Sequence, residues 1–260
     1  MNGLNGKRIV VAGGATGIGA ATAVRLAAEG SAVVVGDLNI AGARATARRI
    51  TEAGGTAIPA AFDLGDETSI QDLIRLAVTE LGGIDGLYNV GADLRGTGDL
   101  SPGNPRRDSD LLDIDMAVWR ENLEVNLIGY ALTSRAALPH FLKQGHGVIV
   151  NTSSGGATGS LPNRPAYATA KAGVVALTRH TASRFGKQGI RCNCVSPGLV
   201  MGETQIAAND KALHAQAMQL VRSTRLGEPR DLAATVAFLM SDDAEWVNGQ
   251  IWTIDGGMTL

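Results

Sequence analysis

A serine, a tyrosine and a lysine occur at spacings that suit proton transfer. Tyr167 and Lys171 stand four residues apart in AYATAK, and Ser154 precedes Tyr167 by 13 residues. Positions i and i+4 of a helix share a face. A lysine ammonium beside a phenol would lower the pKa of Tyr167 toward the range of a general acid/base at neutral pH. Ser154 would then hold an alcohol or carbonyl oxygen in line with the phenol. An exposed i,i+4 pair without a catalytic role is the alternative interpretation.

A glycine-rich turn near the N-terminus suits a phosphate group. Gly13, Gly17 and Gly19 follow the apolar run RIVVA and precede a stretch of helical periodicity. Glycines let backbone N–H groups and a helix N-terminus approach a pyrophosphate. We therefore predict that these glycines, with Ile18 between them, bind a dinucleotide. A tight structural turn would have the same composition.

Acidic residues end the next two predicted strands. Asp37, 18 residues after Gly19, is predicted to accept hydrogen bonds from an adenosine ribose and to repel a 2′-phosphate. Neither Arg nor Lys occurs in Gly13–Gly19 or Gly36–Asn39, so we expect NAD(H) to be preferred over NADP(H). Asp63 is a candidate partner for the adenine amino group. For both carboxylates, a turn or helix cap is the alternative.

Short Val/Ile-rich runs alternate with Ala/Leu-rich stretches of helical period along the whole chain. This alternation predicts an α/β fold with a doubly wound, mostly parallel seven-stranded sheet and helices on both faces, in one domain over residues 1–260. The predicted strands are Arg8–Ala12, Ala32–Asp37, Thr56–Asp63, Gly86–Val90, Gly147–Thr152, Ile190–Val195 and Gln250–Ile254. The predicted helices are residues 18–29, 40–53, 66–81, 116–143, 167–186, 204–221 and 229–241.

Two segments interrupt this rhythm. Residues 93–115 form a long polar connection, and residues 199–224 are predicted to hold a substrate loop. In an open α/β sheet such connections lie where ligands bind, outside the carboxyl ends of the strands. Two long flanking segments, and small residues after Ser154, favour a bulky or cyclic substrate.

The composition argues against several classes of protein. A formal net charge of -2 gives no electrostatic footprint for nucleic acid or for an anionic membrane. No apolar run approaches the roughly 18 residues of a membrane span, and no secretory leader is recognised, so we expect a cytoplasmic protein. Cys192 and Cys194 read as same-face positions of one strand, and the four histidines lack metal-ligand spacing, so no metal is expected.

Several motifs together resemble those of a known family. They are GGATGIG at 13–19, Asn89-Val90-Gly91, the Ser154/Tyr167/Lys171 set, RCNCVSPG at 191–198 and Asp255-Gly256-Gly257. In this order the chain resembles the short-chain dehydrogenase/reductase family over nearly its full length. The resemblance implies a Rossmann-like fold and hydride transfer between NAD(H) and a secondary alcohol or ketone. Tyr167 would be the general acid/base, Ser154 the substrate-oxygen anchor, and Lys171 the residue that tunes the phenol and binds the ribose.

The resemblance also implies a fourth catalytic residue and a wider cofactor site. Asn126, in EVNLIG, matches the family asparagine that supports a proton relay through the lysine. Asn122, one turn earlier, is the rival candidate, and for either one a structural amide is the alternative. The further cofactor contacts are Leu64, Asn89, Gly91, Pro197, Gly198 and Val200. A homotetramer or homodimer is also implied.

Three positions depart from the family pattern. Ala12 stands where a threonine is usual, Tyr88-Asn89-Val90-Gly91 replaces Asn-Asn-Ala-Gly, and Gly202 stands at a threonine position, with Thr204 two residues later. None of them belongs to the catalytic set. An NADPH-dependent ketoreductase (3-oxoacyl or carbonyl reductase) is the alternative enzyme. A catalytically silent dinucleotide-binding protein is the alternative from another class.

Overall fold

Seven parallel strands form one sheet in a computed structural model that describes residues 1–93, 108, 110–157, 163–202 and 211–260. The strands are β1 Arg8–Ala12, β2 Ala32–Asp37, β3 Thr56–Ala61, β4 Gly86–Asn89, β5 Gly147–Thr152, β6 Ile190–Pro197 and β7 Ile251–Ile254. Their order across the sheet is β3-β2-β1-β4-β5-β6-β7. Each pairing among them is parallel, which confirms the doubly wound α/β prediction.

Helices connect successive strands. The helices of the described residues are α1 Gly17–Ala28, α2 Ile40–Glu52, α3 Glu67–Leu81, α4 Met116–Leu123, α5 Gly129–Gln144, α6 Pro165–Phe185, α7 Lys211–Leu220 and α8 Pro229–Met240. Side-chain caps start several of them: Asn39 accepts a hydrogen bond from the Gly42 N–H, and Asp66 accepts one from the Thr68 N–H.

The core lies on both faces of the sheet, because successive strand residues point in opposite directions. Val10 and Val34 pack with residues of α3, α5 and α6 on one face. Ile9 and Val33 pack with residues of α1, α2 and α8 on the other. Burial on both faces explains why the strands read as continuous apolar runs rather than as alternating ones.

The strand order reverses between β1 and β4, which are neighbours although two strands separate them in the chain. At such a switch point the connections leave in opposite directions and open a crevice at the carboxyl ends of the strands. The residues that end β1, β2, β4, β5 and β6 therefore share one edge of the sheet, where the predicted site residues lie.

Several predicted boundaries were wrong by a few residues. The third strand ends at Ala61 rather than Asp63, and the sixth extends to Pro197. The single predicted helix over 116–143 is interrupted by a π-helical turn, Glu124–Ile128, between α4 and α5. The helix predicted over 204–221 is described from Lys211, and its earlier residues lie outside the described part.

Cys192 and Cys194 are buried free thiols on β6. Both side chains belong to the same core cluster, as their spacing predicts. The described ranges contain no group of three or more His, Cys, Asp or Glu side chains that could hold a metal ion. In the same ranges, the helices are all too short or too polar to cross a membrane.

Candidate active site

The glycine-rich turn connects β1 to α1 and leaves the start of α1 open. The φ angles of Gly13 (+109°) and Gly17 (+54°) lie in the left-handed region that glycine favours. A Cβ at Gly13 would lie 2.2 Å from the Gly91 nitrogen, whereas a Cβ at Gly17 would meet no protein atom within 4 Å. Thr16, the residue before α1, makes no side-chain cap hydrogen bond. This open space and the backbone donors of the helix N-terminus fit the pyrophosphate of a dinucleotide.

The first turn of α1 packs directly against the glycine-rich turn. A Cβ at Gly19 would lie 1.8 Å from the carbonyl oxygen of Gly13, so only glycine allows this approach. Ile18 is half-buried and packs against the core on the α1 side of the sheet. The three glycines are therefore needed for the geometry of the turn itself, and Gly17 also keeps space free outside it.

Asp37 ends β2 beside the same turn. Its carboxylate accepts hydrogen bonds from the backbone N–H groups of Ala15 and Asn39, each at 2.9 Å. Asn39, not Asp37, caps α2. Asp37 thus braces the turn, and because a carboxylate has about four acceptor positions, two remain for ribose hydroxyls.

Asp63 and Leu64 follow β3 on the same edge. Asp63 accepts a hydrogen bond from the Gly65 N–H at 2.8 Å, and the cap of α3 is Asp66. Leu64 is buried, and a Cβ at Gly91 would lie 2.9 Å from its side chain. Asp63 is therefore a turn former rather than the helix cap, and Leu64 forms part of the wall behind Gly91.

Asn89 and Gly91 lie at the end of β4. The buried amide of Asn89 donates to Asn151 Oδ1 at 2.9 Å and accepts from the Thr133 hydroxyl at 2.8 Å. Gly91 donates its N–H to the Ala12 carbonyl at 2.8 Å, which ties β4 to the glycine-rich turn. The Asn89 side chain thus bonds to β5 and α5, and its main chain and Gly91 lie at the edge that faces the crevice.

Residues 197–200 leave the end of β6. Gly198 donates to the Ile254 carbonyl at 3.0 Å, and a Cβ at Gly198 would lie 2.5 Å from that of Asp255. Val200 forms an isolated parallel bridge with Gly227. These contacts fix Pro197–Val200 at the carboxyl edge, whereas Thr204 lies outside the described residues.

Ser154 and Tyr167 come together across the start of α6. Ser154 follows β5, and its hydroxyl accepts a hydrogen bond from the Gly156 N–H at 3.1 Å. Burial raises the pKa of the Tyr167 phenol above its usual 10, while a hydrogen bond with Ser154 and the charge of Arg164 act in the lowering direction. The lowered pKa that the spacing predicts is therefore not found in the protein alone, because desolvation of the phenol outweighs both opposing interactions.

Lys171 is almost completely buried, with 1% of its surface exposed. Its ammonium donates to the Thr152 carbonyl at 3.0 Å and to the Tyr130 hydroxyl at 3.2 Å. The nitrogen lies 5.8 Å from the centroid of the Tyr167 ring, so α6 does place the two side chains side by side. Burial lowers the pKa of Lys171 from its usual 10.5 to about 7.

Asn126 lies in the π-helical turn and is fully buried. Its amide accepts from the Asp93 N–H at 3.0 Å and donates to the Asp93 carbonyl at 3.3 Å and to Asn122 Oδ1 at 3.1 Å. Asn122 in turn donates to the Val118 carbonyl at 3.2 Å. Both buried amides therefore hydrogen-bond to the backbone, as the structural alternative predicts. Asn126 also holds the start of the 93–115 connection beside the site.

Asp108 is a site residue that the sequence patterns did not reveal. Its buried carboxylate accepts from the N–H groups of Ala166 (3.2 Å) and Tyr167 (2.9 Å), and its carbonyl accepts from the Arg164 N–H. Arg164 has a φ of +68°, rare for a non-glycine residue. Asp108 thus caps α6, the helix of Tyr167 and Lys171, from the 93–115 connection, and a lone acidic residue in a polar segment gives no signal for such a contact.

A cavity of about 790 Å³ opens at the opposite edge of the sheet, where Lys7, His146 and Trp246 line it. None of the predicted catalytic or cofactor residues borders it. Several charges at its wall are paired, for example Lys7 with Asp242 at 2.6 Å. We therefore assign the active site to the carboxyl edge, because the predicted catalytic and cofactor residues lie there and not around this cavity.

Comparisons with known proteins identify the family of the chain. A family model described as enoyl-(acyl carrier protein) reductase matches residues 13–259. The 7α-hydroxysteroid dehydrogenase of Bacteroides fragilis is 35% identical over 260 residues, which cover 100% of this chain and 97% of that protein. The chain belongs to the short-chain dehydrogenase/reductase family. It is accordingly an oxidoreductase that transfers hydride between NAD(H) and a secondary alcohol or ketone.

Two further relatives of this dehydrogenase/reductase are similarly close. The cis-4-hydroxycyclohexanecarboxylate dehydrogenase of Sinomonas cyclohexanicum is 40% identical over 253 residues, covering 96% of this chain and 95% of that protein. A solved structure of a 7α-hydroxysteroid dehydrogenase, in complex with NADH and 7-oxo glycochenodeoxycholic acid, superposes with a TM-score of 0.88 at 31% identity. That superposition covers 98% of this chain and 94% of the other.

Proposed function

We propose that this enzyme prefers NAD(H) to NADP(H), and that it interconverts a secondary alcohol and a ketone on a bulky, cyclic molecule with Tyr167 as the general acid/base. The observation that carries the proposal is the convergence of Ser154, Tyr167 and the buried Lys171 at the carboxyl edge, next to the open N-terminus of α1. When bound, the dinucleotide supplies or takes up the hydride.

Each catalytic side chain has a distinct task in this proposal. The Tyr167 phenol exchanges a proton with the substrate oxygen, and the Ser154 hydroxyl holds that oxygen in line. The Lys171 ammonium, at 5.8 Å from the Tyr167 ring, favours the phenolate and binds the ribose. Burial alone raises the pKa of Tyr167, so the phenol needs the charge of Lys171, and that of an oxidised nicotinamide, to reach a working range. Asn126 supports the path by which the proton leaves through Lys171.

The cofactor contacts follow the same edge of the sheet. Gly13–Gly19 hold the pyrophosphate, Asp37 the adenosine ribose, and Asp63 with Leu64 the adenine. Asn89 with Gly91, and Pro197–Val200, flank the nicotinamide half. Their main-chain positions at the ends of β1, β2, β4 and β6 support this assignment.

The preference for NAD(H) depends on the charge of Asp37. The Asp37 carboxylate accepts hydrogen bonds from two backbone N–H groups. The amide oxygen of Asp37→Asn can still accept one of them, but the charge that repels a 2′-phosphate is removed. We expect the ratio of kcat/KM with NAD to kcat/KM with NADP to fall at least about 10-fold, since one charge contact is worth about 1.4 kcal/mol or more. An unchanged ratio in a folded variant would remove Asp37 from the proposal.

The substrate class is proposed from the relatives together with the site. Two of them are named for alcohols carried on rings, a 7α-hydroxysteroid and cis-4-hydroxycyclohexanecarboxylate. The three residues after Ser154 are Gly155, Gly156 and Ala157, which leave room beside the serine. The sequence predicts a substrate loop at about 199–224 and a long connection at 93–115, of which residues 94–107, 109 and 203–210 lie outside the described part.

The test is turnover measured by nicotinamide absorbance. The purified enzyme is offered NAD or NADP with cyclohexanols, cis-4-hydroxycyclohexanecarboxylate, a 7α-hydroxy bile acid and linear secondary alcohols. We expect turnover of ring alcohols with NAD, and a loss of about 10²- to 10⁴-fold in Tyr167→Phe, the range for general acid/base catalysis. Preference for NADP would favour the ketoreductase alternative. Dinucleotide binding without any turnover would favour the silent binding protein.

We also propose a homodimer or homotetramer that works in a reducing cytoplasm. Family membership supports the assembly, and the two buried free thiols are compatible with a reducing compartment. Sedimentation equilibrium would test the first point: a monomer at micromolar concentration would contradict it.

A further inference from the structure

Tyr130 is a buried tyrosine that touches both the catalytic lysine and the cofactor edge. It lies in α5, one turn after Asn126, and is 0% exposed. Its hydroxyl accepts a hydrogen bond from the Lys171 ammonium at 3.2 Å and donates one to the Gly91 carbonyl at 3.0 Å. The Lys171 nitrogen also lies 4.5 Å from the centre of the Tyr130 ring. A directed chain therefore runs from the ammonium through the phenol to Gly91.

Few groups around Lys171 can stabilise its charge. The groups that face it are Tyr167 on its own helix, Tyr130 on α5, the Cys194 thiol on β6 and the Thr152 carbonyl on β5. Within the described ranges, Lys171 forms no ion pair with a carboxylate, so neutral oxygen acceptors stabilise the ammonium. Burial works against the charge. The ammonium donates to two oxygens in this part of the structure, the main-chain carbonyl of Thr152 and the side-chain hydroxyl of Tyr130.

We propose that Tyr130 is a positioning residue of the reaction, whose hydroxyl keeps Lys171 charged and oriented toward the cofactor ribose and Tyr167. This inference rests on the proposed roles of Tyr167 and Lys171. Tyr130→Phe keeps the ring and its contact with the ammonium but removes the acceptor. Less Lys171 is then charged near neutral pH, the pKa of Tyr167 rises, and alcohol oxidation needs a higher pH.

Tyr88→Phe is the matched control. Tyr88 is as fully buried as Tyr130, and its hydroxyl accepts from the Thr152 hydroxyl at 3.2 Å rather than from Lys171. Both variants remove one buried phenolic oxygen, so both should lose some thermal stability. Only the loss of the Tyr130 hydroxyl should alter the charge of Lys171.

The experiment measures two quantities in the wild type and in both variants. The first is the pH dependence of kcat/KM for alcohol oxidation with NAD. The second is the pH dependence of NADH affinity, followed by fluorescence titration, because in this proposal the charged form of Lys171 binds the cofactor ribose. For Tyr130→Phe we expect the kcat/KM midpoint to move up, and the midpoint of the NADH affinity to move down, each by about 1 pH unit, the scale of one hydrogen bond to a charged group. We also expect NADH to bind several-fold more weakly.

Unchanged midpoints in folded Tyr130→Phe, or an equal displacement in Tyr88→Phe, would overturn the inference. These outcomes are separable from failure of the proposed function. If the wild type turns over ring alcohols but Tyr130→Phe keeps its pH profile, only the role of Tyr130 fails. If the wild type has no turnover, the proposed function fails, and the pH dependence of NADH affinity still decides whether the Tyr130 hydroxyl keeps Lys171 charged.

Discussion

Replacing Lys171 by methionine should make the protein more stable at pH 7 while abolishing its activity. The side chain is 1% exposed, and burial lowers its pKa from 10.5 to about 7. The unfolded chain therefore binds more protons than the fold between about pH 7 and pH 10.5, and the stability of the wild type rises with pH across that window. Methionine has a similar length and carries no charge to desolvate.

The magnitude follows from proton linkage. A tenfold step in a protonation equilibrium is worth about 1.4 kcal/mol, so this lysine destabilises the fold by about 4 kcal/mol at pH 7 and by about 2 kcal/mol at pH 9. Methionine forfeits the hydrogen bonds to Thr152 and Tyr130, which offsets about 2–3 kcal/mol of that gain. We expect Lys171→Met to exceed the wild type by about 1–2 kcal/mol at pH 7, and this lead to shrink by about 2 kcal/mol at pH 9.

The assay is urea unfolding at pH 7 and pH 9 at one protein concentration. Lys187→Met is the control, because Lys187 is exposed and its replacement removes the same charge without relieving burial. Its free energy of unfolding should stay within about 0.5 kcal/mol of the wild type at both pH values. A Lys171→Met protein that is less stable than the wild type at pH 7, with the same difference at pH 9, would refute the reasoning.

Three further predictions concern the rest of the framework. Burial raises the pKa of Asp85, but hydrogen bonds from Arg8, whose side chain donates at 2.7 Å, and from His146 outweigh it and hold the pKa at about 2, below the usual 3.8. This pairing stabilises the fold above about pH 4, and the stabilisation is lost as the pH falls toward 2. In urea unfolding, Asp85→Asn should therefore lower the free energy of unfolding by about 2 kcal/mol at pH 6 and by almost nothing at pH 2. A loss of stability that is the same at both pH values would contradict this. Gly13→Ala should weaken NADH binding at least about 10-fold in a fluorescence titration, because its Cβ would lie 2.2 Å from the Gly91 nitrogen. Gly54→Ala strains a similar backbone (φ +85°) without a neighbour within 4 Å and should leave that affinity unchanged. Asp108→Ala should lower both thermal stability, by about 1 kcal/mol, and kcat. Asp115→Ala, which removes the cap of α4, should lower stability alone, and equal kcat values in the two variants would argue against a link between Asp108 and the chemistry.

The local elements of this protein were largely predictable from the sequence. Apolar runs such as VVVG and GVIVN, with glycines between them and the helical stretches, place β1, β2 and β5 at their observed bounds. The sequence also predicts that Tyr167 and Lys171 lie side by side, since a helix places residues i and i+4 on one face wherever it packs. Both results depend only on neighbours in the chain.

The electrostatic surroundings of the proposed catalytic side chains were decided by tertiary structure. The spacing predicts a lowered pKa for Tyr167, but burial under residues distant in the chain raises it, and the same burial takes the pKa of Lys171 to about 7. No periodicity indicates the π-helical turn at Asn126 or the contact of Tyr130 with Lys171. Those features arise where α5, α6 and the ends of β4 and β5 meet, because desolvation and hydrogen bonding depend on which parts of the chain converge in space.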